Sequence, residues 1–255
     1  MTLATVLQKN LRAQRWTAPF ELPNWQAHRG LHAGTGLIEN TLPALLEAAR
    51  QGAKMAELDV RVTKDQIPVL FHDENFQRLT QRQGRLLETT LAELRQFFSV
   101  ATLAEVLCHP QAPRLFNVEI KSSEVFNDPL ERRIVDVVKK CGAGERILFS
   151  SFNPFSLWKM QSLLPEVPRG LLVAPDLEAR ALREMWLAPF LKLHSIHLEQ
   201  SMFSTEDSVQ QWQSQGFKTV VWTVNEQPQV EKFWRWGLDS VITDHTPIDY
   251  LCVSQ

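Results

Sequence analysis

Short apolar runs alternate along the chain with longer segments in which apolar residues recur every three or four positions. The strand-like runs are Trp25–His28, Met55–Val62, Leu115–Ile120, Ile147–Ser151, Arg169–Val173, Ser195–Leu198, Thr219–Val224 and Ser240–Thr243. The helix candidates are Leu42–Arg50, Leu130–Lys140, Pro154–Leu164, Leu177–Trp186, Ser204–Gln215 and Gln227–Trp236. Strands that alternate with helices are typical of a parallel sheet, and this number of units predicts an α/β fold, a closed (β/α)8 TIM barrel.

One further apolar run, Ile67–His72, interrupts this alternation shortly after the second strand. The connection between the two runs is too short for the crossover that parallel neighbours require. The pattern therefore predicts a β-hairpin arm over Met55–His72, with its turn centred on Asp65-Gln66. In that register Asp59 lies opposite His72, and cross-strand neighbours are close enough to interact.

The segment between His72 and Glu119 is short and contains a helical stretch, Leu91–Leu107. Because the chain shows no linker, repeat or low-complexity tract, a single barrel domain over residues 21–255 is expected. Residues 1–20 are predicted to form an N-terminal helical extension, since apolar and basic residues alternate there at helical spacing. A helix that covers one end of the barrel is the favoured interpretation, and contact with a membrane surface or a lid over the barrel mouth are the alternatives.

Composition and charge narrow the function classes. The length of 255 residues suits one barrel, and 27 basic side chains against 29 acidic ones argue against a nucleic-acid partner. No apolar run approaches the roughly 20 residues of a transmembrane segment, and no secretory signal is recognisable. Cys108, Cys141 and Cys252 are odd in number and lack metal-ligand spacing, which predicts reduced thiols and a cytoplasmic location.

Acidic residues lie within two of the predicted barrel strands. Glu57 and Asp59 must share one face of their strand, and so must Glu119 and Lys121 on the next barrel strand. If these faces point into the barrel, three carboxylates converge at the rim where barrel enzymes place their active sites. Carboxylate oxygens suit a hard divalent cation such as Mg²⁺ or Ca²⁺. The spacing alone leaves open the alternative that Glu57 and Glu119 point outwards and form surface ion pairs.

Two histidines are predicted to lie near these acids. His28 ends the first strand and His72 ends the hairpin arm. Because histidine titrates near neutral pH, two imidazoles beside a metal site could act as an acid–base pair. A histidine in a loop that only satisfies local hydrogen bonds is the alternative for His72.

Several short motifs occur in one order along the chain. They are Ala27-His28-Arg29-Gly30, Glu39-Asn40-Thr41, Glu57-Leu58-Asp59-Val60, His72-Asp73, Val118-Glu119-Ile120-Lys121, Val221-Trp222-Thr223-Val224-Asn225 and Ile242-Thr243-Asp244. Together they resemble the signature of the glycerophosphodiester phosphodiesterases, a family related to the phosphatidylinositol-specific phospholipases C. The resemblance implies a TIM barrel and a divalent metal ion. It also implies hydrolysis of glycerophosphodiesters to sn-glycerol 3-phosphate and an alcohol.

The resemblance also implies a role for each residue that matches a motif. His28 and His72 match the acid–base histidines. The metal ligands correspond to Glu57, Asp59 and Glu119. Arg29 and Lys121 match the phosphate-binding cations. Trp222 would form an apolar wall against the substrate, and a core tryptophan is the alternative. The partner so implied is a small-molecule glycerophosphodiester.

Other functions of the same fold stay open at this point. A lysophospholipase D-like or cyclising phosphodiesterase is one alternative, and a barrel that binds glycerophosphodiesters without catalysis is another. The alcohol, the metal, the nucleophile, the identity of the base and the oligomeric state, a homo-oligomer included, are not fixed by the sequence. The segment between His72 and Glu119 is shorter than the roofing subdomain usual in the family, so few contacts to the alcohol are expected.

Overall fold

The computed structural model describes Gln8, residues 10–127 and residues 129–247. Nine strands lie within these residues. They are β1 (Trp25–His28), β2 (Met55–Val62), β3 (Pro68–Leu70), β4 (Leu115–Ile120), β5 (Ile147–Ser151), β6 (Arg169–Val173), β7 (Ser195–Glu199), β8 (Lys218–Trp222) and β9 (Ser240–Thr243). All except β3 match a predicted barrel strand, with end points that differ by at most two residues.

The strands close into a barrel. The order along the sheet is β1-β9-β8-β7-β6-β5-β4-β2-β3, and β1 also pairs with β2. All barrel pairs are parallel, and β3 adds to β2 as an antiparallel arm. The predicted (β/α)8 barrel and its hairpin arm are therefore confirmed.

Helices occupy the connections between barrel strands. The α-helices are Leu42–Arg50, Gln77–Thr80, Leu91–Leu94, Leu103–Leu107, Pro129–Lys140, Pro154–Leu163, Arg180–Arg183, Glu206–Ser214 and Gln227–Arg235. Their starts follow local chemistry, since the Asn153 side chain accepts from the backbone N–H of Phe155 and a Thr205 capping box begins Glu206–Ser214. Of the predicted helix Leu177–Trp186, only Arg180–Arg183 is α-helical in the structure. The predicted helical stretch Leu91–Leu107 contains two separate short helices, Leu91–Leu94 and Leu103–Leu107.

The hairpin arm differs from its predicted register by one residue. Val60 pairs with Leu70, and the backbone N–H of Phe71 donates to the carbonyl of Asp59. The prediction that Asp59 faces His72 is therefore wrong. The turn is the cause, because Gln66 takes a left-handed conformation (φ 61°), so that the turn is centred on a single residue instead of a pair.

The barrel interior is divided into an apolar floor and a polar upper part. Near the N-terminal ends of the strands, inward side chains form one buried cluster with Leu22: Met55, Leu115, Leu148, Val220 and Ile242. Two residues further along β2 and β4, the inward positions carry Glu57 and Asn117. The apolar floor supports the fold, and the polar upper part is free to serve as a site.

The short insertion after the arm has its own small core. Residues 73–100 contribute most of a buried cluster that also includes two residues of the arm region. Its members are Val69, Phe71, Phe76, Leu86, Leu94, Phe98 and Val100. The insertion is thus a compact unit that packs beside the barrel mouth instead of a flexible loop.

Part of the predicted N-terminal extension lies outside the described residues, namely 1–7 and 9. Residues 11–20 are not helical, and the N–H groups of Ala13 and Gln14 donate to the carbonyls of Gln215 and Leu193. Those partners precede β8 and β7, so this segment lies beneath the barrel, at the end opposite the mouth. A lid formed by residues 11–20 is therefore excluded, and the division of the chain at residue 20 stays a prediction.

The cysteines differ from the expectation. Cys108 and Cys141 form a disulfide with their Cα atoms 5.7 Å apart. Each follows the C-terminal end of a helix, and these two helices pack against each other. The prediction of three reduced thiols is wrong for this pair. Among the described residues, no helix is long and apolar enough to cross a bilayer.

Candidate active site

Three carboxylates meet at the upper end of the barrel. Glu57 and Asp59 on β2 and Glu119 on β4 are buried, and they place one oxygen each within 4.8 Å of the others. The alternative that Glu57 and Glu119 point outwards is thereby excluded. The register of β2 and β4 causes the convergence, because it pairs Asp59 with Glu119. The side chain of Asn40 fixes Asp59, donating to Oδ2 at 2.7 Å and accepting from the backbone N–H at 3.1 Å.

The carboxylates of this cluster outnumber the cations beside them. Burial and the charge of Asp59 raise the pKa of Glu57 to about 8, and burial also raises the pKa of Glu119. Burial would raise the pKa of Asp59 as well, but Lys121 and Arg29 outweigh it and hold that pKa far below its ordinary value. Three buried carboxylates thus share two cations, and an additional cation would allow all three to ionise.

A tight turn after β1 presents Arg29 to these acids. Arg29 and Gly30 adopt left-handed conformations (φ 54° and 81°). The backbone N–H of Arg29 donates to Oε2 of Glu57 at 3.1 Å, and its Nε lies 3.1 Å from Oδ2 of Asp59. A Cβ on residue 30 would lie 2.7 Å from the carbonyl carbon of Ala44, so only glycine allows helix Leu42–Arg50 to pack here.

Lys121 is the second cation of the site. Its Nζ lies 2.6 Å from Oε1 of Glu119 and 3.1 Å from Oδ1 of Asp59. Burial alone would lower the pKa of Lys121, but the two carboxylates outweigh it and raise that pKa. The ammonium is therefore charged at neutral pH and available to neutralise an anion.

His28 is held by a partner from the last barrel strand. Its Nδ1 lies 2.6 Å from Oδ1 of Asp244, and its Nε2 lies 3.9 Å from Oε2 of Glu57. Burial lowers the pKa of His28, but the hydrogen bond to Asp244 and the charge of Glu57 outweigh it, so the net pKa is raised. Asn225 donates to the other oxygen of Asp244 at 2.6 Å.

His72 is oriented by a hydrogen bond to the insertion, residues 73–100. Its Nδ1 lies 2.7 Å from Oδ1 of Asp73, whose Oδ2 accepts from Nε of Arg78 at 2.6 Å. Burial lowers the pKa of His72, and the nearby charges of Lys121 and Arg29 act in the same direction. The hydrogen bond to Asp73 does not make His72 a purely local loop residue, because its side chain lines the same cavity as that of His28.

That cavity has a volume of about 140 Å³ and an apolar wall. Trp222 lines it, donates from Nε1 to the carbonyl of His197 at 3.1 Å, and packs edge-on against Phe152. Trp222 also packs against the apolar floor. The structure thus gives Trp222 both a core role and a place at the cavity wall.

The partners that orient the predicted site residues were not identified in those roles from the sequence. Asp244 follows β9, which pairs with β1, so barrel closure was the available signal for its contact with His28. Asp73 is the chain neighbour of His72. Arg78, which also donates to Glu39 at 2.7 Å, carries no signal in the sequence.

Comparisons with known proteins identify the family. The model of the glycerophosphoryl diester phosphodiesterase family matches residues 28–247. The chain belongs to this family. A glycerophosphodiester phosphodiesterase of Caldanaerobacter subterraneus subsp. tengcongensis is 30% identical over 232 residues, which cover 86% of this chain and 92% of the relative. The predicted family and its enzyme class, a phosphoric diester hydrolase, are confirmed.

Solved structures of the family agree with the fold. A phosphodiesterase of Oleispira antarctica, in complex with the product sn-glycerol 3-phosphate, is 32% identical with a TM-score of 0.75. That match covers 88% of this chain and 93% of the other. A glycerophosphodiester phosphodiesterase of Thermotoga maritima is 27% identical with a TM-score of 0.71, over 87% and 94% of the two chains.

Proposed function

We propose that this phosphodiesterase hydrolyses glycerophosphodiesters to sn-glycerol 3-phosphate and an alcohol, with a divalent metal ion and with His28 and His72 as the acid–base pair. One observation carries the proposal: both imidazoles, Glu57, Glu119 and Lys121 line a single cavity at the barrel mouth. The product complex of the Oleispira antarctica relative supports the nature of the substrate.

The acidic cluster fits a hard divalent cation such as Mg²⁺ or Ca²⁺. Glu57, Asp59 and Glu119 offer oxygen donors close together, and a bound cation would offset the burial and the charge of Asp59 that raise the pKa of Glu57. When bound, the ion would supply Lewis-acid stabilisation of a phosphoryl oxygen. These three side chains would hold it, and Asn40 would fix the orientation of Asp59.

The remaining polar groups divide the work on the phosphodiester. Arg29 and Lys121 carry the charges that would stabilise the extra negative charge of the transition state. One imidazole would take a proton from the nucleophile and the other would give a proton to the leaving oxygen. Each imidazole is oriented by an aspartate on its Nδ1, which leaves Nε2 for the proton transfer.

Turnover of defined substrates tests the activity. Glycerophosphocholine and glycerophosphoethanolamine should be cleaved in the presence of Mg²⁺ or Ca²⁺, and exhaustive chelation should abolish the reaction. Phosphorus NMR should show sn-glycerol 3-phosphate as the product. A stable cyclic phosphate or a preference for lysophospholipids would instead support a cyclising or lysophospholipase D-like enzyme, and no turnover would indicate a binding protein.

Substitution of the two histidines tests their roles. His28→Ala and His72→Ala should each lower kcat by at least about a hundredfold, because each removes one proton-transfer step. His109→Ala is the matched control, since His109 lies on the connection before β4, outside the cavity. Near-normal turnover by either site variant would remove that histidine from the mechanism.

A cytoplasmic location stays a prediction. The disulfide weighs against it, because the location was predicted from reduced thiols. Disulfides such as Cys108–Cys141 persist mainly in oxidising compartments. Fractionation of cells that express the chain, with alkylation of free thiols before lysis, tests the location. Recovery in the cytoplasmic fraction with both cysteines alkylated would support it, and recovery elsewhere would refute it.

A further inference from the structure

Two fully buried polar side chains in the cavity have no role in the mechanism above. Asn117 on β4 and Ser150 on β5 both line it. Asn117 has no exposed surface and Ser150 is 1% exposed. Neither atom of the Asn117 amide group, nor the hydroxyl of Ser150, has a hydrogen-bond partner among the described residues.

This absence of partners is unusual for such depth. The large majority of buried polar side chains in proteins are hydrogen-bonded. Neighbours in this barrel follow that rule: Ser151, next to Ser150 on the same strand, donates to the carbonyl of Ile120 at 2.8 Å, and Asn40 makes two hydrogen bonds to Asp59. Other buried side chains of the barrel, such as Gln26 and His197, leave one polar atom without a partner but bond through another. Asn117 and Ser150 face the cavity and make no side-chain hydrogen bond within the described residues, which indicates that their partners belong to a ligand.

The surroundings limit the chemistry of that ligand. Asn117 lies beside Glu57 in the strand register, and Ser150 lies beside Glu119, so a second anionic group would be repelled. An amide and a hydroxyl each offer both a donor and an acceptor, which matches alcohol groups. The nonpolar side chains that line the cavity suit the carbon atoms that carry these alcohol groups. They are Phe152, Leu172, Trp222 and Ile242.

We propose that Asn117 and Ser150 recognise the free hydroxyl groups of the glycerol moiety. The inference rests on the proposed function, because it assigns one half of the proposed substrate to one part of the same cavity. Asn117 and Ser150 are then specificity-determining residues, which distinguish a glycerol phosphate from a phosphate ester without hydroxyl groups.

The test compares two ligands that differ only in the hydroxyl groups. Calorimetry on the Mg²⁺-loaded protein measures the Kd of sn-glycerol 3-phosphate and of n-propyl phosphate. The wild-type protein should bind the glycerol phosphate at least about tenfold more tightly, because the analogue leaves both polar groups without partners. Asn117→Leu and Ser150→Ala should each reduce this ratio severalfold. Each variant should weaken the binding of sn-glycerol 3-phosphate and leave the binding of n-propyl phosphate unchanged.

Matched variants separate recognition from damage to the fold. Ser151→Ala removes a hydroxyl from the same strand that points away from the cavity, so the ratio of the two Kd values should not change. Asn117→Leu keeps the approximate volume and loses no protein hydrogen bond, so its melting temperature should equal or exceed that of the wild type. If Asn117→Leu does not fold, the ratio of the two Kd values in Ser150→Ala still tests the proposal.

Two outcomes would overturn the inference. One is an unchanged ratio in both cavity variants, and the other is an equal loss for both ligands accompanied by weaker Mg²⁺ binding, which would place Asn117 in support of the carboxylates. Failure of the proposed function looks different. In that case the wild-type protein would bind the two ligands with the expected ratio and yet hydrolyse no glycerophosphodiester.

Discussion

Asp244 should control which nitrogen of His28 carries the proton. The pKa of Asp244 is about 2, because the hydrogen bonds from His28 and Asn225 outweigh the effect of burial. The carboxylate is therefore ionised and can only accept, so Nδ1 of His28 must donate. Asn225 is fixed as well, since its Oδ1 accepts from the N–H of Asp244 at 2.9 Å and its Nδ2 therefore points to the carboxylate.

Asp244→Asn disrupts this arrangement with almost no change of volume. If the new amide NH₂ faces Asn225, two donors meet across a contact that is now 2.6 Å. If it faces His28, Nδ1 must accept and the proton moves to Nε2, the nitrogen proposed for the proton transfer. A hydrogen bond to a charged group is worth about 1.5–3 kcal/mol, so we expect kcat/KM to fall by roughly 10- to 150-fold.

The assay is kcat/KM for glycerophosphocholine at saturating metal, together with ¹⁵N NMR of the His28 imidazole to identify the protonated nitrogen. Asp239→Asn is the control, because Asp239 and Asp244 flank the same strand: Asp239 directly precedes β9 and Asp244 directly follows it. Its carboxylate accepts from the N–H of Thr219 at 2.8 Å, beneath the barrel. The control should lower the melting temperature and keep kcat/KM. A loss below about threefold in Asp244→Asn, with the tautomer unchanged, would refute the reasoning.

Three further predictions follow from packing and charge. Gly30→Ala should lower stability by at least about 2 kcal/mol in urea unfolding, since residue 30 is left-handed and a Cβ meets the backbone of Ala44; unchanged stability would contradict the close packing. Burial lowers the pKa of His197 to about 3, so below pH 6.5 only the unfolded chain takes up this proton, and His197 should contribute a fall in stability of about 1.4 kcal/mol per pH unit on acidification. His194 adds to the slope, because burial and the charge of Arg169 lower its pKa to about 4. His197→Gln should reduce the slope by that amount, and an unchanged slope would assign it to other groups. Glu119→Gln should weaken Mg²⁺ binding measured by calorimetry while the barrel stays folded, and unaltered affinity would exclude Glu119 as a ligand.

The barrel strands could be predicted from the sequence because their signal is local. β4 coincides with its predicted bounds, Leu115–Ile120, since every residue of it is buried and charged residues flank it on both sides. The inward direction of the Glu57 and Glu119 side chains could not be predicted from this local signal. Period-two spacing fixes which residues share a face, but only the closure of the barrel decides which face points inwards.

The disulfide shows a second limit of sequence reasoning. Cys108 and Cys141 are separated by 33 residues and match no spacing motif. Their proximity depends on how helices Leu103–Leu107 and Pro129–Lys140 pack on the outside of the barrel, because each cysteine ends one of them. A pairing that depends on two helices and their crossing cannot be inferred from a count of cysteines.

The two histidines of the site are supported by different parts of the molecule. The aspartate that orients His28 belongs to the end of a barrel strand, where the backbone is fixed by its neighbours in the sheet. The aspartate that orients His72 belongs to the insertion, and Arg78 connects it to Glu39, which in turn accepts from Arg29. A displacement of the insertion would therefore move His72 and alter the contact between Glu39 and the Arg29 guanidinium, whose Nε stays beside Asp59. The insertion is thus coupled to one of the two histidines proposed as the acid–base pair and to one of the two cations proposed to stabilise the phosphate, so we expect a change in this segment to alter turnover.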